Sequence, residues 1–66
     1  MTTPNAEVKT RHEVADAIFR YHSDVNRAVG AAVEEIMQGA EVRPAGHLME
    51  SAIDLAARDM RKAILL

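Results

Sequence analysis

The stretch that decides the fold is TRHEVADAIFRYHSDVNRAVGAAVEEIMQG, residues 10–39. It opens with a capping box, in which Thr10 accepts a hydrogen bond from the amide of Glu13 while the Glu13 side chain reaches back to the amide of Thr10. It closes with Gly39, which suits the left-handed conformation that commonly follows a helix. These two signals predict one long helix over about residues 10–38.

The residues before Thr10 offer a second possible start for this helix. Thr3 could cap a helix that has Pro4 at its first position. The apolar spacing favours the later start, because one heptad before Ile18 the apolar stripe would have to carry Arg11. We therefore expect residues 1–9 to be an N-terminal arm or an extension of the helix.

Apolar residues recur along the predicted helix at alternating spacings of four and three, which is typical of helices that pack side by side. The members of this stripe are Val14, Ile18, Tyr21, Val25, Ala28 and Ala32. The opposite side carries charged residues, among them Asp16 and Arg20, an i,i+4 pair in the favourable order. The pattern predicts an amphipathic helix with one face buried.

A second helix follows after a short connection. We predict a turn over residues 39–43 and a helix over about residues 44–65, with Pro44 in its first turn or Gly46 as its cap. A connection of this length is typical of antiparallel neighbours. The apolar stripe of the second helix comprises Met49, Ile53, Ala56, Met60 and Ile64. Asp54 and Arg58 form an i,i+4 pair on its outer side.

The predicted fold is all-α, a two-helix antiparallel hairpin over residues 10–66. A chain of 66 residues without cysteine has a small core and neither disulfides nor thiolate zinc sites to support it. Each stripe is wider than one neighbouring helix can cover, so we predict that two copies form a four-helix bundle. The predicted dimer core comprises Val14, Ile18, Tyr21, Val25, Ala32, Met49, Ile53, Ala56, Met60 and Ile64.

The sequence contains no motif typical of catalysis or of a cofactor site. His12, His22 and His47 form neither an HExxH motif nor a paired-histidine pattern. Ser23 and Ser51 lie in predicted helix interiors without a nucleophile elbow, and the glycines are too dispersed for a phosphate loop. We predict a non-enzymatic protein with no metal and no cofactor.

The N-terminus and the hydropathy pattern bear on localisation. No apolar run approaches the ~20 residues of a membrane span. The first residues also lack the basic start and apolar stretch of a signal peptide. We therefore expect a cytoplasmic protein that does not insert into a membrane.

A second apolar flank lies about a quarter-turn from the main stripes. Phe19 is its best anchor, because large aromatic side chains dominate interface energetics, and we expect Met37 and Leu55 as its neighbours. The predicted contacts with a partner protein are Phe19, Gly30, Val33, Met37, Leu48 and Leu55. The same residues could instead belong to a broad dimer core, and the sequence leaves both interpretations open.

Basic residues on the first helix supply an alternative function, the binding of nucleic acid. The candidate phosphate contacts are Lys9, Arg11, Arg20 and Arg27. Acidic residues share their face, and the formal net charge of the chain is −2, so electrostatic attraction to phosphate is weak. We keep nucleic-acid binding as the second hypothesis.

Two resemblances bear on function. In plan, the hairpin resembles the Rop family of plasmid copy-number proteins, which are helical hairpins that dimerise and bind RNA. This resemblance implies an RNA-binding surface around Phe19, Arg20 and Arg27. The small size, the alanine-rich hairpin and the apolar flank also resemble small phage-encoded proteins that bind host regulators, including anti-activators of quorum sensing. That resemblance implies a homodimeric regulator or inhibitor that docks an apolar helical surface on another protein, for example a transcriptional regulator.

Overall fold

The computed structural model of the chain describes residues 10–65, and these form two helices and a turn. Helix α1 spans Arg11–Met37 and helix α2 spans Val42–Ile64. The two helices pack against each other as a hairpin, and no residue in the described range lies in a strand. The prediction of an all-α hairpin is confirmed. The predicted arm, residues 1–9, lies outside the described residues.

The predicted capping box begins α1. The amide of Glu13 donates to Thr10 Oγ1 over 3.0 Å, and the amide of Thr10 donates to Glu13 Oε1 over 3.0 Å. Together these bonds satisfy two of the backbone amides that would otherwise lack a partner at a helix start.

The predicted glycine ends α1. Gly39 has a φ of 103°, and its amide donates to the carbonyl of Ile36 over 3.0 Å. The amide of Ala40 donates to the carbonyl of Glu35 over 2.9 Å. These two bonds form a Schellman motif, which uses the left-handed residue to turn the chain away from the helix axis.

Helix α2 begins at Val42, with Glu41 as its N-cap. The predicted start at Pro44 is therefore two residues late, and Gly46 lies inside the helix rather than capping it. The first amides of a helix have no intrahelical acceptor, so Pro44 fits at the third helical position without loss of a hydrogen bond. The turn between the helices is correspondingly shorter than residues 39–43.

The helices meet through alanine. The buried residues among those described are Ala17, Ala32, Ala45 and Ala56, each at most 7% exposed. Ala32 and Ala56 belong to the predicted core, whereas Ala17 and Ala45 do not. Alanine lets two backbones approach closely, but each alanine buries little apolar area. The contact between the helices is therefore close and contains no large buried side chain among residues 10–65.

A substitution at Gly39 tests the helix terminator. Gly39→Ala is expected to lower the free energy of unfolding by about 1–2 kcal/mol, because alanine is strained at a left-handed φ. A Cβ at this position would meet nothing within 4 Å, so the effect comes from the backbone alone. Gly39→Asn is the matched control and should lose less, since asparagine tolerates this conformation. Chemical denaturation of both variants measures the difference, and equal losses would contradict the assignment.

Candidate protein-interaction surfaces

One side of the hairpin carries the charged residues Asp24, Arg27 and Asp59, and we call it the polar side. An open groove of about 300 Å³ runs between the helices there. Its lining residues are Asp24, Arg27, Ala28, Ala31, Ala52, Leu55, Ala56 and Asp59. The Arg27 Nη1 atom lies 3.4 Å from the Asp24 Oδ1 atom at its edge. The other five lining residues are apolar, so this side combines exposed charges with apolar surface.

The other side of the hairpin is apolar across both helices, and we call it the open face. At about 100° per residue, its members lie beyond the buried alanines on the side away from Asp24 and Asp59. Its members on α1 are Val14, Ile18, Val25, Val29 and Ile36, and those on α2 are Met49, Ile53, Ala57, Met60 and Ile64. Ile18 remains 47% exposed and Val29 40% exposed, and the others are half-buried.

The open face contains most of the residues predicted for the dimer core. Val29, Ile36 and Ala57 belong to it and were absent from that prediction. Their signal in the sequence is the continuation of the same spacing of three and four residues. Tyr21, which is also predicted for the dimer core, is half-buried at the border of the open face, on the side towards α2.

A second apolar surface lies on α1, on the side turned away from α2, and we call it the outer side of α1. Phe19 is 65% exposed there, Val33 56% and Met37 81%. Around the helix these residues fall within an arc of about 60°. The full set in this arc is His12, Ala15, Phe19, Asn26, Gly30, Val33 and Met37. The arc contains no Asp, Glu, Lys or Arg over the whole length of α1.

The corresponding side of α2 is charged. Arg58 Nη2 lies 3.3 Å from Asp54 Oδ2, and His47 Nδ1 lies 3.9 Å from Glu50 Oε1. All four side chains are at least 61% exposed. The outer side of α2 is thus a solvated surface, in contrast to the outer side of α1.

The six predicted partner contacts are all exposed, but they do not form one surface within a single chain. Phe19 and Met37 share the outer side of α1 with Gly30 and Val33, yet they are 18 residues apart, or about 27 Å along the helix. Leu55 lines the groove on the polar side of the hairpin. The expectation that Met37 and Leu55 neighbour Phe19 is therefore not met, because residues that share a helix face are not necessarily in contact. The remaining predicted contact, Leu48, is exposed on α2.

The candidate phosphate contacts also lie on different sides of α1. Arg20 Nη2 lies 3.4 Å from Asp16 Oδ2, and Arg27 pairs with Asp24. Arg11 lies about half a turn around α1 from Arg20, and Lys9 lies outside the described residues. Arg20 and Arg27 share one face of α1, seven residues apart, but the three cations in the described range do not form one phosphate-binding surface.

Among residues 10–65, no group of three or more His, Asp or Glu side chains is placed to hold a metal ion. Neither of the two described helices combines the length and hydropathy needed to cross a membrane.

Comparison with known proteins adds no relative. No protein-family model matches the chain, no curated protein is significantly similar to it, and no solved structure significantly resembles it.

Proposed function

We propose that this protein is a homodimeric, non-enzymatic regulator or inhibitor that acts by binding another protein. In this proposal the open faces of two hairpins close on each other as a four-helix bundle. The observation that supports it is the four-alanine contact, which leaves every large apolar side chain in the described range at least partly exposed. Such a hairpin has more apolar surface than it can bury alone.

The dimensions of the open face suit self-association. It extends from Val14 to Ile36, about 33 Å along α1, and it is two helices wide, about 20 Å. The projected area is roughly 650 Å², close to the ~800 Å² that each partner contributes to a standard protein interface. Full burial of one Val, Ile or Met side chain contributes about 1.5–3 kcal/mol. A second copy of the hairpin is thus large enough to bury the open face.

The outer side of α1 is the surface that we assign to the other protein. It stays at the periphery when the open faces close, and it is apolar where the outer side of α2 is charged. Exposed apolar patches bordered by polar residues are typical of protein-interaction sites. Phe19 is its largest side chain and the natural anchor for a docked partner.

Nucleic-acid binding, the alternative, has weaker support. Arg20 and Arg27 already lie beside carboxylates, and each of these carboxylates would repel phosphate. Arg11 lies on a different side of α1. A protein partner therefore fits the exposed surfaces better than a nucleic acid does.

Ile53→Asp tests self-association. A carboxylate in the centre of the closed face would be desolvated without a partner, so the dimer dissociation constant should rise at least 100-fold. Ser51→Asp places the same charge on the exposed side of α2 and should leave the dimer intact. Sedimentation equilibrium and helicity on dilution measure both. A wild-type chain that is monomeric and fully helical at all concentrations would contradict the proposal.

Phe19→Ala tests the assignment of the partner surface. Removal of the anchor should weaken binding of a protein captured from the source cell by roughly 30-fold or more. Dimerisation and helicity should stay unchanged, because Phe19 is 65% exposed. Leu55→Ala removes an equally exposed side chain from the polar side and should retain binding. If Leu55→Ala loses the partner and Phe19→Ala retains it, the assignment to α1 is wrong.

A further inference from the structure

We infer that the two hairpins of the dimer lie antiparallel, with their turns at opposite ends, so that α1 packs on the partner's α1 and α2 on the partner's α2. The inference rests on the proposed self-association and adds its arrangement. Three observations carry it: the register between α1 and α2, the symmetry of the open face, and the charges at its edge.

The register within one hairpin fixes which residues lie at the same level. Helix α1 ends at Met37 and α2 begins at Val42, so residues at the same level of the two antiparallel helices have numbers that add to about 80. The groove that contains both Ala17 and Ala63, whose numbers add to 80, is consistent with this register. Val25 of α1 and Leu55 of α2 therefore lie at one level.

The open face of α1 is centred on Val25. Val14 and Ile36 lie eleven residues to either side of it, while Ile18 lies seven residues before it and the buried Ala32 lies seven residues after it. A reversed copy that meets α1 at Val25 brings Ile18 to the level of the partner's Ala32. A large side chain thus lies at the level of a small one, which favours close packing of the facing helices.

Position 55, which is at the same level, lies midway between two pairs of residues on α2. Ile53 and Ala57 of the open face lie two residues to either side, while Ile64 lies nine residues after it and the half-buried Gly46 lies nine residues before it. Large again meets small across the axis. A Cβ at Gly46 would meet nothing within 4 Å in its own chain, which leaves room for the partner's Ile64. One two-fold axis at this level therefore pairs large with small residues on both helices.

The charges at the edge of α2 favour this arrangement over a dimer that has both turns at the same end. Glu50 and Arg61 flank the open face five and six residues from position 55, so the reversed copy brings the partner's Arg61 beside Glu50, twice per dimer. Within residues 10–65, no carboxylate lies within 4.0 Å of the Arg61 side chain. With both turns at one end, Glu50 would instead lie at the level of Gly30 of the other copy. Opposite charges that meet only in one orientation specify that orientation.

The arrangement also completes the outer side of α1. Because α1 lies beside the partner's α1, Phe19 falls within about 1.5 Å along the axis of the partner's Gly30 and within about 3 Å of the partner's Val33. Three residues that are dispersed within one chain thus form one composite apolar surface in the dimer, and the two-fold axis produces it twice.

Cysteine cross-linking tests the orientation, since the chain has no cysteine of its own. Val25→Cys places two thiols next to each other at the axis, and mild oxidation should link most of the dimer. Ala40→Cys places the thiols in the two turns, about 45 Å apart, and should leave the chains unlinked. Any other outcome, whether Ala40 links preferentially, both positions link or neither does, overturns the inference.

A fluorescence measurement on Ala40→Cys alone does not depend on whether Val25→Cys folds. Energy transfer between labels at Ala40→Cys, a position outside both helices, should report a separation near 45 Å. A separation near 10–15 Å would indicate turns at one end and overturn the arrangement. Sedimentation of the unlabelled wild type is a separate readout: a monomer there defeats the proposed function itself, whereas a dimer with the wrong distances defeats only the orientation.

Charge reversal tests the edge contacts. Glu50→Arg should raise the dimer dissociation constant about three- to tenfold, and the double variant Glu50→Arg, Arg61→Glu should restore it. The exchange of Asp54 and Arg58 is the matched control, because this pair lies within one chain and its reversal should not change dimerisation. Failure of the double variant to recover would overturn the proposed pairing.

Discussion

The close approach of two helices through alanine is the constraint on which the rest of the structure depends. Ala17, Ala32, Ala45 and Ala56 occupy the contact, and their small side chains leave no space for a larger one between the helices. The Val, Ile and Met side chains in the described range therefore lie outside the contact, and each of them is half-buried or exposed. Ordering a residue costs roughly 1.5 kcal/mol, and alanine burial alone does not offset that cost. The hairpin thus leaves apolar surface that it does not bury itself, and the proposed dimer rests on that surface.

The outer sides of the two helices differ in charge. On α2 the outer side carries exposed ion pairs such as Asp54 with Arg58, each of which contributes less than about 1 kcal/mol but keeps that side in water. On α1 the ion pair Asp16 with Arg20 lies to one side, and the arc around Phe19 is left without charge. A helix that needed only to be solvated on this side would not require a phenylalanine there.

Local features of the fold were predictable from the sequence, whereas the direction of packing was not. The capping box at Thr10 and the terminator at Gly39 are set by a few adjacent residues, and both are present. Helical periodicity locates an apolar stripe but not which edge of it faces the second helix. Ala17 and Ala45 are absent from the predicted core for this reason. Small residues contribute little to an apolar pattern when larger apolar residues lie beside them. The dispersal of the predicted partner contacts has the same origin, because position on a helix face carries no information about separation along the axis.

Gly30 connects the energetics of the single chain with its assembly. A glycine inside a helix is about 1 kcal/mol less favourable than alanine, and a Cβ at Gly30 would meet nothing within 4 Å. The hairpin therefore gives no reason for glycine at this position. In the proposed antiparallel dimer Gly30 would lie within about 1.5 Å along the axis of the partner's Phe19, on the surface that we propose for another protein. The missing side chain would leave a shallow depression beside that ring, into which a docked chain could bring its own backbone or a small side chain. Such a complex would offset the destabilisation of α1.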